Sequence, residues 1–595
     1  MTYKAPVKDM MFVMNHLAGL EQLADLPNFA QAGLDAQTTE SILNEAAKFA
    51  EEVVAPLNWT GDQQPSFLKD GKVTTSPGFK DAFDQYVAAG WQGVTHPESY
   101  GGQGLPKLLS TACQEMINAA NLSFSLCPML TEGAIEALMV AASDEIKAKF
   151  IPNMVSGKWT GTMNLTEPQA GSDLALVRSR AEPQADGTYK IFGTKIYITY
   201  GDHDFTENIV HLVLARVPNS PEGVKGISLF VVPKYLVNDH GEIGQRNDVQ
   251  CISLEHKLGI KASPTAVLQY GDHGGATGYL VGQENNGLAY MFIMMNAARF
   301  GVGMQGVSLA DRSYQKAVQY AKDRAQGRDL AGSPQAVAII HHPDVKRMLM
   351  TMRAYVEGAR ALAYVGVAAL DASENTADEK TQKENHAFYE FLVPIIKGFS
   401  TEMSVQVASL GVQIHGGMGF IEETGAAQYY RDARILPIYE GTTAIQANDL
   451  IGRKTLRDGG ALIQMIGRQI EKTEADLAQS GTPESKIMLD HLSRARKSLE
   501  KAIMYVLMNA KADIKAVFAG SVTYLQAFGL TLAGWQMARA LLAAQAHMSE
   551  DKEFYSAKVA TAQFFAQHLL TQVPGMSVAI VDGGQVTNAL SVEQF

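Results

Sequence analysis

Residues 189–199 read YKIFGTKIYIT. The run is short, rich in β-branched and aromatic side chains, and predicts a strand. IVHLVLARV (209–217), GISLFVVP (226–233) and TAVLQYGD (265–272) repeat that character, with Gly, Asn, Asp and Pro between them. Together they predict a β domain over 159–278. Upstream the chain is helical: apolar residues fall at helix spacing over 39–57 and again over 133–154. HPESYGGQGLP (96–106) lies between those stretches and predicts a loop. Helical patterning returns near Gly287, and Pro343 opens a helix with Val345, Leu349, Met352, Val356 and Ala359 on one face. The polar run DASENTADEKTQKENH (371–386) predicts a surface connection between two long helices. A further helical block follows Gly452, punctuated by Gly at 459, 460, 481 and 520.

The expected class is therefore α+β and mostly α. Its expected parts are an N-terminal helical domain (1–158), a central β domain (159–278), a helical bundle (279–455) and an additional helical domain (456–595). At 595 residues the chain is too long for one core. With 46% hydrophobic and 19% charged residues it has the balance of a soluble globular protein. A net charge of -12 argues against a general binder of nucleic acid or membrane surfaces. The block from 456 carries as many Lys and Arg as Asp and Glu, so it offers no positive face for a phosphate backbone.

Three widely spaced cysteines, Cys113, Cys127 and Cys251, point to a reducing compartment without disulfides. The opening MTYKAPVKDMMFVMNHLAGL has neither a signal peptide's apolar core nor a transit peptide's Arg and Ser, so the expected location is cytoplasmic. The longest apolar candidate, 527–546, is broken by Gln536 and Arg539 and predicts a buried helix, with no membrane span.

Some motifs point away from chemistry. Gly301-Val302-Gly303-Met304-Gln305-Gly306 fits GxGxxG, but the preceding MFIMMNAARF reads as helix where a dinucleotide fingerprint needs a strand. Close helix packing is the expectation there. His341-His342 has no companion ligands, and neither HExxH nor a His/Cys cluster occurs, so no metal site is expected.

Other stretches are better placed. MNLTEPQAGSDL (163–174) joins a strand-like run to a loop offering the Thr166 and Ser172 hydroxyls, which suit a polar ring edge or a phosphate. In KIYIT (195–199), strand alternation puts Tyr197 and Thr199 on one face, an aromatic plane beside a hydroxyl. Ordinary packing accounts for either pattern alone. PIYEGTTAIQ (437–446) holds a single acid, Glu440, in an otherwise uncharged run with no base within it. Such a carboxylate either faces water or is kept for a purpose.

TEPQAGSD, KIYIT, Arg299 and Arg324 at their spacing, QIHGGMGF (413–420) and RDARILPIYEGT (431–442) occur in this order. That series closely resembles the acyl-CoA dehydrogenases over about 40–455. The chain length and the block after 455 resemble the long bacterial branch, which includes enzymes acting on fatty acyl-CoA and on 3-methylmercaptopropionyl-CoA. The resemblance implies FAD as cofactor, an acyl-CoA substrate, electron-transferring flavoprotein as acceptor and a homodimer. It implies Glu440 as the base that takes the α-proton, and Ser172, Asn296, Arg299 and Gly441 on the substrate side. It implies Leu165, Thr166, Ser172, Tyr197 (where many relatives carry Trp), Thr199 and Thr442 around FAD. Arg324, Gln413, Gly416 and Gly417 match residues that reach the FAD of a neighbouring subunit. Some relatives carry the base beside the matched arginine, but Asn296-Ala297-Ala298-Arg299 contains no carboxylate. Two other relatives share the fold: acyl-CoA oxidases, which let oxygen reoxidise the flavin, and flavoproteins that bind DNA through a basic C-terminal domain.

Overall fold

The computed structural model describes residues 3–30, 33–238 and 240–595. Its central sheet has eight strands. Seven lie in the order Val249–Leu254, Thr265–Tyr270, Tyr189–Thr199, Ala276–Leu280, Ser228–Pro233, Asn208–Ala215 and Trp159–Asn164. Arg180–Pro183 pairs with the first residues of Tyr189–Thr199, and a strand ending in Pro suits that lateral position. Pairing is antiparallel except between Trp159–Asn164 and Asn208–Ala215. Asn208–Ala215 is buried along its whole length, which explains its mostly apolar sequence, broken only by Asn208 and by His211, which pairs with Thr162. The strands at 180 and 276 escape sequence reading because they are short and carry Pro or Gly, and that at 249 because its outward face is partly polar and exposed.

Helices Gly287–Asp323, Pro343–Asn375 and Glu379–His415 form the bundle behind the sheet. Pro343 stands in the first turn, as its fixed φ favours. The GxGxxG stretch lies inside the first of these helices. A Cβ on Gly306 would sit 2.5 Å from the Ser400 carbonyl oxygen, so the glycines serve close helix contact. The polar run 371–386 is not the connection it resembles: the two helices run through it, leaving only 376–378 between them. Asp371 is buried and accepts hydrogen bonds from the amides of Lys107 and Leu108, capping another helix. The helical stretch expected over 133–154 divides into Leu122–Ala141 and Asp144–Val155, because Ser143 caps the second helix by accepting from the Ile146 amide.

The block after 455 packs on the bundle through glycine notches. Gly398 receives Leu525, and Gly529 of the buried helix Ser521–Ala546 receives Phe399. A Cβ at Gly529 would lie 2.3 Å from the Phe399 ring. Gly529→Ala should therefore lower the thermal midpoint, with a cost of about 1–3 kcal/mol for overpacking. Gly467, in helix Ala461–Ser480, has nothing within 4 Å of such a Cβ. Gly467→Ala should leave the midpoint unchanged or raise it, since Ala is the better helix former. Equal midpoints for the two variants would show that the notch does not fasten the block.

Two helical stretches, Leu122–Ala141 and Lys552–Asp582, are long and apolar enough to cross a membrane. The first is a core helix. The second is divided by Phe565–Leu569 and Leu570–Gln572, and its Lys558 is buried in ion pairs with Asp9 and Glu357. Among the described residues no group of His, Cys, Asp or Glu is arranged to hold a metal ion. All three cysteines are free and buried.

Candidate active site

The loop TEPQAGSD and the strand KIYIT are tied together by their backbones and by a buried ion pair. The Ile196 amide donates to the Thr166 carbonyl at 3.0 Å. Lys195, fully buried, donates to the Leu165 carbonyl at 3.0 Å and to Glu167 Oε1 at 2.8 Å. Glu167 also accepts from the amides of Arg178 and Ser179. Burial works to raise the Glu167 carboxyl, yet Lys195 and these amides hold it down at about 2. Burial lowers Lys195 to about 8 against the pull of Glu167. The loop is thus held rigidly along the strand edge. Sequence reading found both segments but not this pair, which only the fold brings together.

Tyr197 does not follow simple strand alternation. Its φ is +60°, and the register shifts between Ala266 and Leu268 of the neighbouring strand, so the residue sits at a bulge and is 61% exposed. Thr199 follows at the strand end, opposite Thr265. The hydroxyls of Thr166, Ser172 and Thr199 make no hydrogen bond within the described chain. Three hydroxyls without a partner in the described chain and an exposed aromatic ring, carried by a loop and the strand it is tied to, suit a flat heterocycle bearing polar atoms. Leu165, by contrast, is buried, with its carbonyl on Lys195.

The second cluster surrounds Glu440. Its backbone is left-handed, φ +54°, a strained state for a side chain of this kind. Gly441 follows at φ +87°, and a Cβ there would meet Gln446 Nε2 at 2.7 Å, so only glycine fits. Thr442 caps the helix Thr443–Asp449 by accepting from the Ile445 amide. The loop's carbonyls are held from two sides. Buried Gln446 donates to the Glu440 and Gly441 carbonyls, both at 3.2 Å. Lys397 donates to the Leu436 carbonyl at 2.9 Å and the Gly441 carbonyl at 2.7 Å.

Glu440 has no base near it in sequence, but the fold supplies two. Burial raises its pKa above the usual carboxylate value, while Arg299 and Lys397 pull it back. Arg299, on the Gly287–Asp323 helix, is buried with its Nε unpartnered and its guanidinium over the Phe292 ring at 6.0 Å. Burial lowers its pKa too. Asn296 lies one turn earlier on that helix and is half-buried. Tyr439 donates to Gln305 Oε1 at 2.5 Å, and Gln305 Nε2 meets Met129 Sδ at 3.3 Å. Those three side chains form a linked chain leading from the residue before Glu440. Tyr439 and Ile445 are half-buried, whereas Ile438 is 47% exposed.

Arg324, Gln413, Gly416 and Gly417 are all exposed. They lie at the ends of the bundle helices and face out of the chain that carries Glu440. Lys397 and Gln446 escaped sequence reading. For Lys397 a signal existed, a lone Lys inside the apolar helical run FLVPIIKGF (391–399).

Four family models match the chain. They describe the acyl-CoA dehydrogenase N-terminal domain (36–158), middle domain (162–272) and C-terminal domain (285–455), and an acetyl-CoA dehydrogenase C-terminal-like domain (463–591). The chain is 52% identical over 587 residues to 3-methylmercaptopropionyl-CoA dehydrogenase of Ruegeria pomeroyi, covering 98% of this chain and 99% of that one. It is 35% identical over 595 residues to a broad-specificity linear acyl-CoA dehydrogenase of Mycobacterium tuberculosis, covering 96% and 95%. An acyl-CoA dehydrogenase from Bacillus anthracis, solved in complex with FAD, superimposes with a TM-score of 0.74 at 22% identity, covering 94% of this chain and 91% of that one. With these relatives across nearly its whole length, the chain belongs to the acyl-CoA dehydrogenase family, the FAD-dependent oxidoreductases of acyl-CoA thioesters.

Proposed function

We propose that the protein dehydrogenates short acyl-CoA thioesters between Cα and Cβ, with 3-methylmercaptopropionyl-CoA its preferred substrate and Glu440 the base. The carrying observation is Glu440 itself: a carboxylate on a strained backbone, made more basic by burial, with two cations at hand. A thioester α-proton is only weakly acidic, so a desolvated carboxylate suits its removal. Gly441 and Arg299 flank Glu440 and, with Asn296, form the substrate side, where donors would hold the thioester carbonyl as charge develops on it. Ser172 serves both substrate and cofactor. The choice of a short acyl group is supported by the 52% identical relative.

Leu165, Thr166, Ser172, Tyr197, Thr199 and Thr442 would hold FAD. When bound, FAD supplies the acceptor for the β-hydride. Lys195 and Glu167 keep their loop rigid for that purpose. Arg324, Gln413, Gly416 and Gly417, exposed as they are, would complete the cofactor site of a second copy, and a guanidinium suits a pyrophosphate. We therefore read the protein as a cytoplasmic homodimer that passes electrons to electron-transferring flavoprotein, with the block from 456 covering surface that other relatives use for further assembly. Light scattering should give about 129 kDa, twice the 64.4 kDa chain. A tetrameric mass would refute that reading of the block.

A turnover panel over acyl-CoAs with an artificial electron acceptor tests the substrate. 3-Methylmercaptopropionyl-CoA and its linear short-chain analogues should exceed palmitoyl-CoA in kcat/KM by at least tenfold, since a few misplaced methylenes are each worth about 1–3 kcal/mol. The reverse order would overturn the short-chain assignment. Hydrogen peroxide formed in step with turnover would make the enzyme an oxidase.

A further inference from the structure

We propose that Lys397 is a positioning residue for the reaction: it pins the loop carrying Glu440 and, when protonated, places a positive charge near that carboxylate. The proposal rests on the reading of Glu440 as the base. Lys397 is fully buried on the Glu379–His415 helix, in a run otherwise apolar from Phe391 to Phe399. An ammonium there is costly unless its donors are used. Two of them are used, on Leu436 and Gly441, which bracket Glu440 from either side. Leu436 precedes the loop and Gly441 follows the base, so one side chain fixes both ends of the segment that sets the carboxylate's direction.

The left-handed backbone at Glu440 is strained and persists only where the surroundings over-determine it. Lys397 and Gln446 are the side chains that hold its carbonyls. A purely structural lysine would serve as well with its charge turned elsewhere. Here the ammonium sits on the carbonyl of Gly441, the residue next to Glu440, and attracts that carboxylate, with Arg299 from the Gly287–Asp323 helix and Glu402 from its own helix as the other ionic neighbours. Burial lowers the Lys397 pKa to about 7, and Glu440 is the first of the groups that raise it.

The test uses full-length, FAD-loaded protein and compares Lys397→Met, Lys397→Gln and Glu440→Gln. Removing an opposite charge this close should move the acid limb of the kcat/KM profile up by about one pH unit in both Lys397 variants. A loosened base should cost at least about tenfold in kcat, with KM changed less than threefold. Lys397→Gln keeps one donor at lower volume cost and serves where the Met variant fails to load flavin. An unmoved acid limb in Lys397→Gln, or a loss confined to KM, overturns the proposal while leaving the Glu440 reading intact. Wild-type activity in Glu440→Gln overturns both.

Discussion

Glu440→Gln is expected to leave FAD bound and the fold intact while lowering kcat by roughly 10²–10⁴-fold, the usual worth of a positioned general base. The amide keeps the volume of the carboxyl, so the left-handed backbone and its hold by Lys397 and Gln446 should survive. It cannot take a proton. The helix position beside Arg299 offers no carboxylate in its place, since it carries Asn296, Ala297 and Ala298. The pH dependence has a definite sign. The base works ionised, and burial raises its pKa, so wild-type kcat/KM should be full above that raised value and fall as the pH drops through it. The residual rate of the Gln variant should lack that limb. Stopped-flow reduction of the flavin by substrate measures the step directly, and flavin absorbance confirms loading. A variant keeping more than about a tenth of wild-type kcat would show that the proton leaves by another route.

How far this site could be read from the chain depends on how local each part is. Tyr189–Thr199 was legible to its end residues because a strand of that length carries its own propensity and its own boundaries. The polar run 371–386 misled for the converse reason. Composition reports exposure, and helices with one solvated face read as loops when Asp371, Ser373 and their neighbours face inward against the polar trend. Glu440 stood out because charge in an uncharged run is a local anomaly. Its partners were not legible. Arg299 and Lys397 come from two helices distant in sequence, and Lys195 meets Glu167 only when a loop folds back along a strand. Sequence thus exposes the residue proposed for the chemistry more readily than those that hold it. The exposed Tyr197 shows a further limit. Alternation predicted its face, but a positive φ and a bulge set its direction, and both depend on the neighbouring strand.

The same contrast governs the largest expected effect on stability, which lies away from the site at Arg360. This side chain is 1% exposed on helix Pro343–Asn375. It donates through Nε to Glu115 at 2.8 Å and through Nη1 to Asp9 at 2.7 Å, and its Nη2 lies 3.7 Å from Asp311. Tyr364 donates to the other Glu115 oxygen at 2.7 Å. Lys558 joins Asp9 and Glu357, so the network ties the N-terminal helix and two helices of the bundle to the block after 455. Burial works to raise the Asp9 carboxyl, but Lys558 and Arg360 hold it at about 2, whereas burial lifts Asp311 to about 6 even with Arg360 beside it. Arg360→Met keeps the apolar stem and removes the charge from among three carboxylates. Breaking a buried ionic network in this way costs about 3–5 kcal/mol. The sign with pH follows from linkage. In wild type the depressed Asp9 contributes stability above its unfolded pKa, lost as the pH falls toward about 2. In the variant the freed carboxylates take pKa values above their unfolded ones, so the penalty is largest at alkaline pH and shrinks as they protonate. Thermal midpoints of wild type and Arg360→Met at pH 8 and pH 5.5 measure both the size and the sign. The gap should be wider at pH 8, and a gap under about 1 kcal/mol, or one independent of pH, would show that hydrophobic packing alone holds the block in place.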